Sequence, residues 1–126
     1  MNYRTPLAKA RGLGAAKSGT TRWWMERVTA AALIPLSYWL VKLIDLSATA
    51  PYAETRYWLA VPVNTVGVIA FVAAAFYHAA LGLRVVIEDY VDREGSKIVL
   101  IWLVNLGAAL LSLIALLAVF RTLQTG

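Results

Sequence analysis

The chain reads as an all-α membrane protein: three transmembrane helices that form part of a heteromeric membrane helix bundle. Three observations predict the three membrane helices. Of the 126 residues, 60% are hydrophobic and only 15% charged, more apolar surface than a soluble domain of this length can hide. The apolar residues gather into three runs, each close to the ~20 residues that cross about 30 Å of hydrocarbon. Finally, the cations crowd toward the N-terminus instead of forming a basic patch interleaved with aromatics, so the net charge of +5 does not point to nucleic acid.

Taken in order, residues 1–22 hold Arg4, Lys9, Arg11, Lys17 and Arg22, spaced by Gly12, Gly14, Ser18 and Gly19. The segment has no apolar core of signal-peptide length and is read as a tail, not a cleaved leader. Its charges predict a cytoplasmic N-terminus, with Arg27 at the membrane edge and Trp23 and Trp24 as interfacial anchors. The first span is expected at about 28–46, bent at Pro35, where Ser37 and neighbouring helices offer partners to the freed backbone groups. Tyr38 and Trp39 are expected to pack on lipid or on a companion chain. Pro51 marks a turn, and Pro62 suits the opening of the second span at about 63–87. Gly95 marks the turn before the third span, at about 98–120. The second connection carries Arg93 and Lys97 and belongs inside. The first offers only Arg56, with Lys42 snorkelling beside Asp45, so the C-terminus is expected outside. Asn105, Gly107 and Ser112 are the polar or small points of the third span, suited to interhelical packing and hydrogen bonding. The chain forms one anchor domain with no internal repeat.

Chemistry concentrates in the second span. His78 is the only histidine, and a histidine within a bilayer is costly unless it meets a cavity, a partner or a metal. At ~100° per residue it shares one helical stripe with Gly67, Phe71, Ala74, Gly82, Val85 and Asp89, and Asp89 stands roughly 16 Å along the axis. Small residues on that stripe, Gly82 above all, admit a neighbouring helix or a flat macrocycle. An imidazole so placed either ligates haem iron or hydrogen-bonds across a helix interface. Cysteine is absent and the methionines, Met1 and Met25, fall outside the expected spans. A six-coordinate haem would therefore take its second ligand from another subunit. Arg27 suits a haem propionate or a simple interfacial anchor. Asp89 and Tyr90, at the inner end of the same helix, suit a quinone carbonyl and its protons, or an ordinary interfacial helix end.

The order His78, Gly82, Asp89, Tyr90 makes a resemblance specific. The segment His78-Ala79-Ala80-Leu81-Gly82-Leu83-Arg84-Val85-Val86-Ile87-Glu88-Asp89-Tyr90 resembles the second transmembrane helix of the D-type membrane anchors of succinate dehydrogenase, respiratory complex II. Ser18-Gly19-Thr20, Trp23-Trp24 and Arg27-Val28-Thr29-Ala30 resemble the run leading into the first helix of bacterial anchors of this type. The resemblance implies that His78 is one axial ligand of haem b, the other coming from a companion C-type anchor. It also implies that Tyr90 and Asp89 help form the ubiquinone site facing the iron–sulfur subunit, and that Arg27 lies near the propionates or the quinone pocket. Arg84 is no part of that pattern and is expected to snorkel, to pair with Glu88 at i+4, or to reach a propionate.

The reading is thus a multi-pass subunit of the bacterial inner membrane, not an enzyme alone, that docks a flavoprotein and an iron–sulfur subunit and helps build a ubiquinone-reduction site. Two alternatives stand beside it: the anchor of a fumarate reductase, and a non-redox scaffold in which His78 and Asp89 pass protons along one helix face.

Overall fold

The computed structural model describes residues 5–7 and 14–125, without the side chains of 14–19. Arg4, Lys9 and Arg11 of the tail, and the Lys17 side chain, lie outside the described residues. Among the described residues there are four α-helices and no strand: α1 (Gly14–Thr49), α2 (Tyr52–Ala60), α3 (Pro62–Tyr90) and α4 (Glu94–Gln124). Three of these are long and apolar enough to cross a membrane, over Thr20–Thr49, Pro62–Tyr90 and Glu94–Gln124. Their flanks are apolar and exposed, as at Ile34, Val41 and Leu113. In hydrocarbon the backbone has only its own helix to bond with, which is why the crossings are uninterrupted helices.

Each of the three membrane-length helices outruns the span expected from hydropathy. The 29 residues of α3 reach ~44 Å, so its polar last turn, Glu88 to Tyr90, stands beyond an apolar core of about 30 Å. Likewise α1 already begins at Gly14, so residues 14–22 of the expected tail are helical and continuous with the first span. Gly95 does not make the second turn. That turn is residues 91–93, with Val91 and Arg93 extended, and α4 restarts at Glu94, an acidic residue suited to a helix N-terminus. Lys97 reaches back to Glu94 at 3.6 Å.

The first connection holds a helix that hydropathy does not announce. Pro51 is extended and caps α2, its carbonyl accepting from the backbone of Glu54 and Thr55. Pro62 ends the same helix from the other side, because the residue before a proline is pushed out of the helical region, and Val61 is indeed extended. Thr55 and Leu59 are buried beneath α2. Arg56 crosses to the far end of the chain, donating to the carbonyls of Thr122 and Leu123 at 3.1 Å each, while the Tyr52 hydroxyl lies 2.8 Å from that of Thr125. The last carbonyls of a helix have no partner within it, and a guanidinium there also faces the negative end of the helix dipole.

α3 lies between α1 and α4 and packs against both. Gly67 permits the closest approach: a Cβ there would fall inside the indole ring of Trp39. Trp39, expected on lipid or on a companion chain, is instead held within the subunit. Its Nε1 donates to Asn64 Oδ1 at 3.1 Å, and Asn64 Nδ2 donates to Trp58 O at 2.9 Å, so one amide joins α1, α2 and α3. Pro35 lies inside α1, and the Ser37 hydroxyl donates to the Ile34 carbonyl in that turn. In α4, Ser112 donates to Ala109 of its own helix and Gly107 faces open space, so neither makes the expected interhelical contact. Lys42 and Asp45 stand together at 3.9 Å, as expected.

Candidate functional site

The site grows from the contact of α1 with α3. Trp39 meets Gly67, Thr29 meets His78 and Arg22 meets Glu88, so numbers fall along one helix as they rise along the other. This antiparallel register is kept over ~25 Å of helix. His78 occupies its middle. The imidazole is half-buried, with Nδ1 2.9 Å from the hydroxyl oxygen of Thr29, itself only 7% exposed. The same hydroxyl lies 2.7 Å from the Met25 carbonyl and 3.1 Å from that of Glu26.

The imidazole also lines a groove of about 300 Å³, together with Trp23, Glu26, Arg27 and Ala30. These four are spaced i, i+3, i+4, i+7 and share one face of α1. The Arg27 guanidinium carbon lies 4.5 Å from the centre of the Trp23 ring, a cation–π contact that holds the charge at the groove wall. Arg27 makes no ion pair among the described residues, so its charge is available to an anionic group. Gly82, one turn beyond His78, leaves open space where a side chain would stand. Met25 lies within α1, inside the observed span and not outside it as hydropathy suggests, yet it does not line this groove.

These features fit a haem. Among the described residues no cluster of three His, Asp or Glu could hold a bare metal ion. Iron bound in a macrocycle needs only one protein ligand from this chain, and one free imidazole edge beside an unpaired arginine is what the groove supplies. Its volume is at the low end of the roughly 300–1,000 Å³ of small-molecule sites.

Asp89 and Tyr90 stand apart from this groove. Tyr90 is the last residue of α3, ~18 Å along the axis from His78, and is 82% exposed; Asp89 is exposed as well. Between His78 and Asp89 their shared face carries Gly82 and Val85, with no polar side chain to carry a proton. Arg84 pairs with Glu88 at 3.1 Å, and Arg22 of α1 joins the same carboxylate at 2.8 Å. Arg84 lines other grooves than that of His78. Sequence reasoning missed Thr29, Glu26 and the Arg22–Glu88 pair. The helical spacing of Trp23, Glu26, Arg27 and Ala30 was a legible signal, whereas Arg22–Glu88 and Thr29–His78 needed the register of two helices.

Three membrane-length helices, with the chain's one histidine lining a groove against the first crossing, define a multi-pass membrane protein. Residues 1–119 match the family described as the succinate dehydrogenase/fumarate reductase transmembrane subunit. The chain is 33% identical to the succinate dehydrogenase hydrophobic membrane anchor subunit of Rickettsia bellii over 119 residues, 94% of this chain and 95% of the relative. It is 35% identical to that of Rickettsia conorii over 106 residues, 83% and 84% of the two chains. With that of Paracoccus denitrificans the identity is 28% over 112 residues, 89% and 87%. No solved structure matches the chain. The chain belongs to the succinate dehydrogenase membrane-anchor family.

Proposed function

We propose that this chain is the haem b-binding D-type anchor of a bacterial succinate:ubiquinone oxidoreductase. It lies in the cytoplasmic (inner) membrane with its N-terminus cytoplasmic and its C-terminus periplasmic. The observation that carries the reading is His78, held at Nδ1 by α1 and free at its other edge toward a groove it shares with the unpaired Arg27. His78 is one axial ligand of haem b, and a companion C-type anchor supplies the other. Arg27 neutralises a propionate or borders the quinone pocket. When bound, the haem supplies a one-electron redox centre near the quinone.

The charged end of the bundle, where α1 begins and α3 ends, docks the iron–sulfur subunit, which in turn carries the flavoprotein. Two electrons from succinate arrive through the iron–sulfur subunit and, with two protons, convert ubiquinone to ubiquinol. Tyr90 donates its phenolic hydrogen bond to a quinone carbonyl, and Asp89 beside it hands on protons. The exposure of both residues in the single chain supports a role completed by partner subunits. Direction follows the relatives, whose names are those of succinate dehydrogenase anchors.

The test is a reduced-minus-oxidised spectrum of the complex purified through a tag on this chain, with its subunits identified by mass. A b-type band together with flavin and iron–sulfur partners is expected, and His78→Ala should abolish or displace that band. An unchanged band in the variant would remove His78 from the iron.

A further inference from the structure

We infer that Thr29 is the positioning residue of the site: its hydroxyl fixes the tautomer and rotation of His78, so that Nε2 presents a lone pair to the haem iron. The inference rests on the haem reading and goes beyond it to a residue that never touches the cofactor.

A threonine hydroxyl has one proton to donate and lone pairs to accept with. In a helix that proton goes naturally to the carbonyl one turn back, and here the Met25 carbonyl lies at 2.7 Å, with Glu26 at 3.1 Å as the alternative. With the proton so placed, the oxygen faces His78 Nδ1 at 2.9 Å as an acceptor, and Nδ1 carries the hydrogen. The hydroxyl proton, the hydroxyl oxygen and Nδ1 are then each paired, and the Nε2 lone pair is the one group left without a partner among the described residues. The opposite arrangement, with the hydroxyl donating to Nδ1, moves the ring hydrogen to Nε2, on the residue that lines the groove. Among the described residues none accepts it: Glu26 lines the groove but makes no bond to the ring.

Thr29 is also suited to the task mechanically. It is buried at the contact of α1 with α3, and its branched side chain has few rotamers, so the acceptor stays where the ring needs it. A hydrogen bond from the far ring nitrogen strengthens the ligating one. Partners of this kind typically alter metal affinity 10–100-fold when removed.

The lone histidine makes the test unambiguous, because ¹⁵N-histidine labelling of the full chain yields the signals of one ring. In the haem-free chain in lipid nanodiscs, Nδ1 should appear protonated and Nε2 bare. Thr29→Val, which keeps the shape and removes the hydroxyl, should mix or invert the tautomers, and Thr29→Ser should restore the native pattern. In the intact complex, Thr29→Val should release haem to a competing apoprotein about 10–100-fold more readily. It should also raise the haem midpoint potential, and Thr29→Ser should stay near the native values. A native chain with Nε2 protonated, or Thr29→Val unchanged in tautomer, haem release and potential, overturns the inference while leaving His78 as ligand. A native complex without haem overturns both. If Thr29→Val fails to assemble, the tautomer of the native chain and the behaviour of Thr29→Ser still decide.

Discussion

The two long interfaces of this subunit are built differently. Between α1 and α3 a ring sits in a glycine notch, a hydroxyl meets an imidazole, and the Arg22 guanidinium pairs with the Glu88 carboxylate. Between α3 and α4, among the described residues, no side-chain hydrogen bond or ion pair crosses, and a groove of about 570 Å³ runs past Ala73, Ala80, Ala108 and Ala109. α4 is fastened instead at its last turn, by Arg56 and Tyr52 of α2. The contrast separates two tasks. Unspecific apolar packing suffices to hold a third helix in place, but a ligand site needs its two walls in one fixed register, and polar contacts that fit only one way supply it.

The largest effect should come from the notch. Gly67→Leu places a side chain where the Trp39 ring lies, and overpacking of this kind costs typically 1–3 kcal/mol or more. We expect loss of assembled, haem-containing complex, seen as loss of the b-type band and of co-purifying partners. A control away from both interfaces is Gly107→Ala on α4, which meets open space and should not lower the melting temperature of the solubilised complex. If the two variants behave alike, the fit of Trp39 against Gly67 is not what holds the site together.

Next in size is Tyr90→Phe. It should lower succinate-dependent quinone reduction several-fold while leaving electron delivery to a dye that bypasses quinone intact, since Tyr90 is exposed and supports no internal contact. Equal loss in both assays would assign Tyr90 to assembly instead. Arg56→Ala removes the cap of α4 and should cost about 1 kcal/mol, a charge-assisted hydrogen bond to each of two carbonyls being partly replaced by water. The complex should melt earlier with its haem spectrum unaltered, whereas a shifted spectrum would mean that the α2 end communicates with the site. Smallest is Glu88→Gln. Its pairs with Arg22 and Arg84 are about one-third exposed, so the loss should stay below about 1 kcal/mol and shrink further in high salt.

Much of this architecture was legible from hydropathy, because a bilayer dictates both the length and the helical state of an apolar run. Helix ends were less so: Glu88 to Tyr90 and Glu94 to Lys97 are polar yet helical, and a hydropathy reading stops where lipid stops. The helix α2 was missed because a nine-residue segment containing Glu54 and Arg56 has no membrane signature, and its order comes from two prolines and from the distant end of α4. At the site, His78 announced itself through its chemistry and Arg84–Glu88 through i, i+4 spacing. Thr29 carries no signal of its own, since an isolated threonine in a helix is ordinary until the opposite helix places an imidazole against it.

Arg56 also says something about biosynthesis. The carbonyls it binds lie 66 and 67 residues further along the chain. At about 5–20 residues per second, roughly 3 to 13 s pass between the synthesis of the guanidinium and that of its acceptors. During that interval the α2 end of the bundle stays open. It closes only once the third crossing has been threaded, so the arginine acts as a latch that records completed insertion.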